Sequence, residues 1–377
     1  MRDQSTLLHQ TPANSKSNSV NETDASEENR PTPEEKSTRG RMGMVPGVRI
    51  LGSGSFVPDN VVTNDDLAEL GCDSEWIVRR TGILERRHAT EDQATSDLCY
   101  EAATRCLENA SVAIEDIDLI LVATITPDHF TPSTACHLQR RLGAFAPAMD
   151  VGAACAGFMY ALTTAAQFVA NGNAKRVLVV GADLMSRLID PNDKKTFPLF
   201  GDGAGAVIVG PDDHGDSVSE GSGPAGILSY QLGSEGCGGE MLCIPAGGTR
   251  MALTDRAKEE GLQYLQMDGR NVFKWAVRVF AESAKDVLHA AGVDASELGL
   301  VVLHQANQRI IDSAVSDLGV TADKVLVNLD RYGNTSGASI PLALDEAFED
   351  GRINRGDYVL LCGFGSGLAW GTALIRY

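Results

Sequence analysis

The chain has 377 residues, 43% hydrophobic and 22% charged, a balance that fits a globular protein of one large domain or two ordinary ones. Its formal net charge of −19 excludes nucleic acid as a partner, because phosphates need Lys and Arg. No apolar run is long enough to span a bilayer, so no membrane partner is expected, and any acidic partner needs a local basic patch on a repulsive surface.

Residues 1–43 are rich in Ser, Asn, Thr, Glu and Pro and almost lack large apolar side chains, so they read as a disordered tail. Their acidity disfavours a transit peptide, no signal peptide is seen, and a reducing cytoplasm is the expected compartment. A start at Met42 or Met44 is a second account of the tail. The eight cysteines are Cys72, Cys99, Cys106, Cys136, Cys155, Cys237, Cys243 and Cys362. They form no C-x-x-C pair, so no metal site is expected, and several sit in apolar segments as small core residues.

Folding begins near "GVRILGSGSFVP", and an internal repeat organises the rest of the chain. Ala103–Thr124 aligns without gaps on Ala284–Gln305, each a helix, a short turn and a fully buried strand. "PAMDVGAACAGFMYAL" pairs more loosely with "LVNLDRYGNTSGASIPLAL", and "KRVLVVGAD" with "DYVLLCGFGSG". The spacing predicts an α/β protein with mostly parallel sheets covered by helices. It divides the chain into a tail (1–43), a half that carries Cys155 (44–215) and a half that carries His304 and Asn334 (216–377), related by a pseudo-twofold.

In chain order, the first residue of chemical interest is Cys155, in "DVGAACAGFMYAL". One reading is a packed core cysteine. The other is a nucleophile at a helix N-terminus, where the partial positive charge lowers a thiol pKa to somewhere in the range of about 3.5–7.5. The small neighbours Ala153, Ala154, Ala156 and Gly157 leave room for an acyl group and let backbone N–H groups reach its carbonyl oxygen. "FGDGAGAVIVG" lacks the spacing of a phosphate loop and reads as tight backbone passage. In "GRNVFKWAVRVF" the cations Arg270, Lys274 and Arg278 recur every four residues; this stripe is either a solvated face or a seat for a negatively charged partner. His304 ends a buried strand, where α/β sheets collect ligands; a satisfied core histidine is its other reading. Asn334 lies in a "GNTS" turn at the corner that corresponds to Cys155, though Asn after Gly is common in turns. A backbone N–H from Gly365–Gly367, assigned to Ser366, supplies the second oxyanion donor beside that of Cys155.

Together "DVGAACAGF", "LHQANQRI", "RYGNTSGAS", "DSEWIVRRTGI", "FGDGAGA" and "GFGSGLAWGTALIRY" resemble the β-ketoacyl-acyl-carrier-protein synthase III family, the initiating condensing enzymes of type II fatty acid synthesis, from about Val48 to Tyr377. The resemblance implies a thiolase-like fold of two related halves in five αβαβα layers, usually a homodimer. It implies an acyltransferase that condenses a short acyl-CoA with malonyl-acyl carrier protein, needing no cofactor because acyl-CoA is a substrate. Carried over by motif, Cys155 resembles the acyl-accepting nucleophile, and His304 and Asn334 the decarboxylation pair. Trp76 and Arg80 resemble residues at the adenine end of coenzyme A, Asn307 a pantetheine contact and Arg309 part of the carrier-docking surface, to which Lys274 and Arg278 are added. The chain departs from the family pattern at Lys194, where an arginine is common, and at Arg270, where an asparagine is common. Thr131 stands where many relatives have phenylalanine, with Phe130 beside it. A condensing enzyme of polyketide or specialised acyl metabolism is the alternative.

Overall fold

The apolar strings of the repeat form two five-stranded sheets, seen in a computed structural model that describes residues 40–212 and 225–377. Most of the tail assigned to 1–43 therefore lies outside the described residues. Its last residues do not: Arg41–Pro46 is a strand, so the ordered chain starts earlier than the composition suggested.

The first-half sheet runs Val48–Phe56, Asp202–Pro211, Val177–Leu184, Leu119–Ala123, Ala148–Val151. The second-half sheet runs Arg41–Pro46, Gly226–Ser234, Ala369–Arg376, Tyr358–Gly365, Leu298–Leu303. Four strands match in order; Arg41–Pro46 is added at one edge of the second sheet, and Ala148–Val151, at the other edge of the first, is matched only by an isolated bridge between Val301 and Val325. That strand pairs antiparallel with Gly226–Ser234, so the halves are not separate along the chain: the first strand belongs to the second sheet.

The sheets are mixed, not mostly parallel as the alternation of elements predicted. Leu119–Ala123 lies parallel to both of its neighbours, and Leu298–Leu303 parallel to Tyr358–Gly365. The remaining pairs are antiparallel. Between Gly365 and Ala369 the reason is short reach: the turn holds too few residues for the crossover that a parallel partner needs.

Period-two alternation puts each strand in two cores. Leu121 and Val179 face the same central cluster as Val302 and Leu361 of the other sheet, and the helices Gly157–Ala170 and Ser339–Glu349 fill the space between the sheets. Ile120 and Val122 point the other way, toward helices Thr95–Ala110 and Thr134–Leu142. Val301 and Leu303 likewise face the helices Gly269–Ala291 and Gln308–Leu318. The result is the expected five-layer αβαβα stack. The central layer is so close that a Cβ on Gly181 would lie 2.2 Å from Gly337 O, and one on Gly205 would lie 2.5 Å from Leu342 N. Cys72, Cys99, Cys106 and Cys362 are buried, and all eight cysteines are free thiols.

Candidate active site

The two central helices begin at matching corners. The strand Ala148–Val151 ends, Ala154–Ala156 makes one 3-10 turn, and Gly157 starts the helix. Across the pseudo-twofold, Ser336–Ala338 makes the same turn before Ser339. Ala154 and Ser336, equivalent in the two turns, share the left-handed backbone at φ 46° and 52°. These corners bring Cys155 Sγ within 3.4 Å of Ser336 Oγ. Only a glycine fits on the other side: a Cβ on Gly365 would lie 2.8 Å from Cys155 Cβ and 3.0 Å from Sγ.

His304 ends its strand with its backbone N–H on Cys362 O at 2.8 Å. Its ring meets Phe364 edge to face at 5.4 Å, and its Nδ1 lies 2.7 Å from Ser339 Oγ. That contact leaves Nε2 as the nitrogen available to a ligand. Asn334 is fixed by three bonds. Its N–H donates to Leu199 O at 2.8 Å, its carbonyl accepts from Gly201 N–H at 3.1 Å, and its Oδ1 accepts from Ser336 N–H at 2.9 Å. A backbone N–H can only donate, so Oδ1 is the acceptor and Nδ2 remains as a donor. The "FGDG" segment thus serves as the expected close passage: it is the rail on which Asn334 hangs, with Gly201 so tight that a Cβ would lie 2.2 Å from Tyr332 O.

Cys155, His304 and Asn334 line one cavity of about 880 Å³. Trp76, Arg80, Lys194, Arg270, Lys274, Asn307, Arg309 and Ser366 line it too. The Arg80 guanidinium stacks 4.6 Å over the Trp76 ring, and Asn307 caps the helix Gln308–Leu318 while its Nδ2 holds Arg80 O at 3.1 Å. Lys195, which the sequence reading did not select, adds another cation to the lining. Arg278 is absent from it. Its guanidinium is bound to Glu235 at 3.1 Å and lies 3.7 Å from Glu282 one helical turn on, so the stripe of three cations is broken at its last member by acidic partners. Thr131 and Phe130 are exposed and do not line the cavity. Ser366 sends its hydroxyl to Leu242 O at 2.5 Å, so the side chain is a tether and only its backbone is left for an oxyanion.

Burial sets the electrostatics. It pushes the Cys155 thiol up to about 12, with Ser336 pulling weakly the other way. This runs opposite to the expectation of a lowered thiol pKa: the residue is only 8% exposed, and desolvation disfavours its thiolate. Burial alone pushes the His304 imidazole down to about 3. Asp183 is a further buried group that the sequence reading missed. Its carboxylate accepts from Ile125 N–H, Gly337 N–H and the hydroxyls of Thr124 and Thr126, and so pins the Ser336–Gly337 turn against Cys155. Its only sequence signal is a charge inside the apolar run "VLVVGADL".

Two family profiles match the chain: "3-Oxoacyl-[acyl-carrier-protein (ACP)] synthase III" over residues 149–236 and its "C terminal" counterpart over 288–377. A β-ketoacyl-[acyl-carrier-protein] synthase III of Rhodopirellula baltica is 71% identical over 345 residues, 89% of this chain and all of the relative. The chain belongs to the β-ketoacyl-[acyl-carrier-protein] synthase III family. A member from Desulfitobacterium hafniense is 47% identical across 88% of this chain and 98% of its own. The crystal structure of the Aquifex aeolicus 3-oxoacyl-[acyl-carrier-protein] synthase III superposes with a TM-score of 0.78 at 42% identity, over 88% of this chain and all of that one. The priming β-ketosynthase of the R1128 polyketide pathway superposes at 0.79 with 36% identity, over 89% of this chain and 98% of that one. The fold is therefore thiolase-like and the protein is an acyl-transferring condensing enzyme.

Proposed function

We propose that this cavity condenses a short acyl-CoA primer with malonyl-acyl carrier protein, with Cys155 as nucleophile and His304 and Asn334 as the decarboxylation pair. The observation that carries the reading is the convergence of these side chains on one cavity, with Asn334 Nδ2 and His304 Nε2 left for a ligand by bonds that occupy their other atoms. Polyketide priming is not favoured, since the relative at 71% identity is named for the fatty acid enzyme.

In the first half-reaction Cys155 sulfur attacks the thioester carbonyl and the S–H proton passes to the leaving sulfur. Coenzyme A departs as the thiol. The tetrahedral oxyanion is held by the backbone N–H groups of Cys155 and Ser366. In the second, the bond between the malonyl carboxylate and its methylene breaks and carbon dioxide leaves. The enolate oxygen takes hydrogen bonds from His304 Nε2–H and Asn334 Nδ2–H, with Ser339 donating to Nδ1 to fix that tautomer. The enolate carbon attacks acyl-Cys155, and the expelled thiolate takes a proton from solvent. Neutral donors suit a negative charge that must be stabilised and then released.

Trp76 and Arg80 stack as a platform for the adenine end of coenzyme A, with Asn307 beside the pantetheine and Lys194 and Arg270 near the phosphates. Lys274 and Arg309 present cations to the acidic carrier. The described residues contain no helix long and apolar enough to cross a membrane. Unpaired thiols, two of them exposed at Cys136 and Cys237, suit a reducing cytoplasm. A homodimer is supported by the Ala148–Val151 edge of the first sheet. Phe145, 96% exposed, and Met149 stand beside or on that strand, and Phe130, 93% exposed, precedes the helix packed on it. An unpaired sheet edge next to exposed aromatics is a surface that a second copy covers.

Mass spectrometry after incubation with acetyl-CoA tests the assignment. Cys155→Ala should carry no acyl adduct. His304→Ala and Asn334→Ala should be acylated yet lose malonyl-carrier decarboxylation by about a hundredfold or more, the scale of losing a positioned donor. Normal turnover in either variant would remove that residue's role.

A further inference from the structure

The helix Gly269–Ala291 places Arg270 and Lys274 on the cavity rim, but its next cation turns to a different task. Arg278 Nη2 donates to both carboxylate oxygens of Glu235, at 3.1 and 3.2 Å. Trp275, one turn earlier on the same side, donates its indole N–H to Glu235 Oε2 at 3.2 Å. Glu235 lies at the end of the strand Gly226–Ser234. Its backbone makes a reciprocal pair with Leu368: Glu235 N–H to Leu368 O at 2.8 Å, and Leu368 N–H to Glu235 O at 3.2 Å. Leu368 closes the turn that leaves Gly365, the residue pressed against Cys155 Sγ. Ser366, inside the turn, is tied on its other side to Leu242 O.

The turn beside the nucleophile is thus held at both ends: Ser366 and Trp275 belong to the cavity lining, whereas Glu235 and Arg278 lie outside it. The Glu235 end depends on charge. The carboxylate is 22% exposed and takes charge-assisted bonds from Arg278, which is 38% exposed. Deprived of them, it must turn toward water and draw its backbone pair with Leu368 along. Trp275 also meets Trp370 edge to face at 6.4 Å, on the strand after the turn.

We propose that Arg278 and Trp275 are positioning residues which, through Glu235 and Leu368, hold the Gly365–Ser366 segment where its backbone N–H meets the oxyanion of acyl transfer. The inference rests on the oxyanion-hole role proposed for Ser366. It assigns Arg278 to the chemistry of both half-reactions and removes it from carrier docking.

The test is transfer of acetyl from acetyl-CoA to Cys155 without any carrier, in single turnovers quenched for mass spectrometry, beside steady-state KM values for acetyl-CoA and malonyl-carrier. Arg278→Gln and Glu235→Gln should slow acyl transfer about tenfold at saturation, because a displaced donor costs rate more than binding. Both KM values should stay within about twofold, since neither residue lines the cavity. Arg278→Lys should recover part of the rate, and Trp275→Phe, which keeps the ring and loses one hydrogen bond, should cost about threefold. A rise confined to KM for malonyl-carrier would make Arg278 a docking cation and overturn the proposal. Unchanged acyl transfer in Trp275→Phe and in folded Arg278→Gln would do the same. A wild-type enzyme that forms no acyl-Cys155 would instead overturn the oxyanion reading on which the proposal stands.

Discussion

Cys155 and His304 are 8% and 2% exposed, and burial moves them in opposite directions. The thiol is pushed up to about 12 and the imidazole down to about 3. At neutral pH those directions favour a thiol and a neutral imidazole in the resting site, with the Asp183 carboxyl behind the Ser336–Gly337 turn. Alkylation by iodoacetamide follows the thiolate, so its rate constant should rise about tenfold per pH unit between about pH 6 and 9. A plateau below pH 8 would mean a thiolate ionised at rest. The imidazole, lowered, gains its proton only near pH 3, so His304 should add no acid limb to decarboxylation between about pH 5 and 8. At this scale the sequence was informative where one residue type is rare in its surroundings: Cys155 among alanines, His304 after four apolar residues, Asn334 in a glycine turn. It gave Asp183 only as a charge in an apolar run and was silent on Ser339 and Glu235; the importance of all three is a partner far along the chain: Gly337, His304 and Leu368.

Strands and helices here are placed by what glycine omits. Gly181 touches the turn that holds Ser336, and Gly205 touches the helix after it. A methyl group on Gly181 would have to displace Gly337 O, which lies 2.2 Å from the Cβ position, and Ser336 would move from Cys155 with it. Gly181→Ala should lower stability by about 1–3 kcal/mol, the usual cost of overpacking, and slow acyl transfer as well. Gly248→Ala, with nothing within 4 Å of its new Cβ, should leave both unchanged. Thermal melts and the acylation assay check the pair; equal melting points would contradict the close contact. The helices and the buried strands were legible from period and apolarity, and antiparallel pairing was not. Strand direction is set by connection length and by which neighbour covers which face, and an alternation of β and α segments contains neither.

The whole molecule puts two similar halves around one core, then leaves one edge of the first sheet open at Ala148–Val151. Light scattering with size exclusion should give a dimer at micromolar concentration, and Phe145→Asp with Met149→Lys should shift it toward monomer. A monomeric wild type would remove the edge as an interface. Taken alone, the sequence determined the duplicated α/β plan and the family, and it singled out Cys155, His304 and Asn334, which the fold brings to one cavity, because each of these is written in local pattern: a repeat, a period, a motif. Only the tertiary structure decided that burial pushes the thiol up, that Arg278 pairs with Glu235, and that the strand Arg41–Pro46 completes the far half's sheet. Each of those depends on how much water a group loses, or on which distant segment meets it, and both are properties of the packed chain.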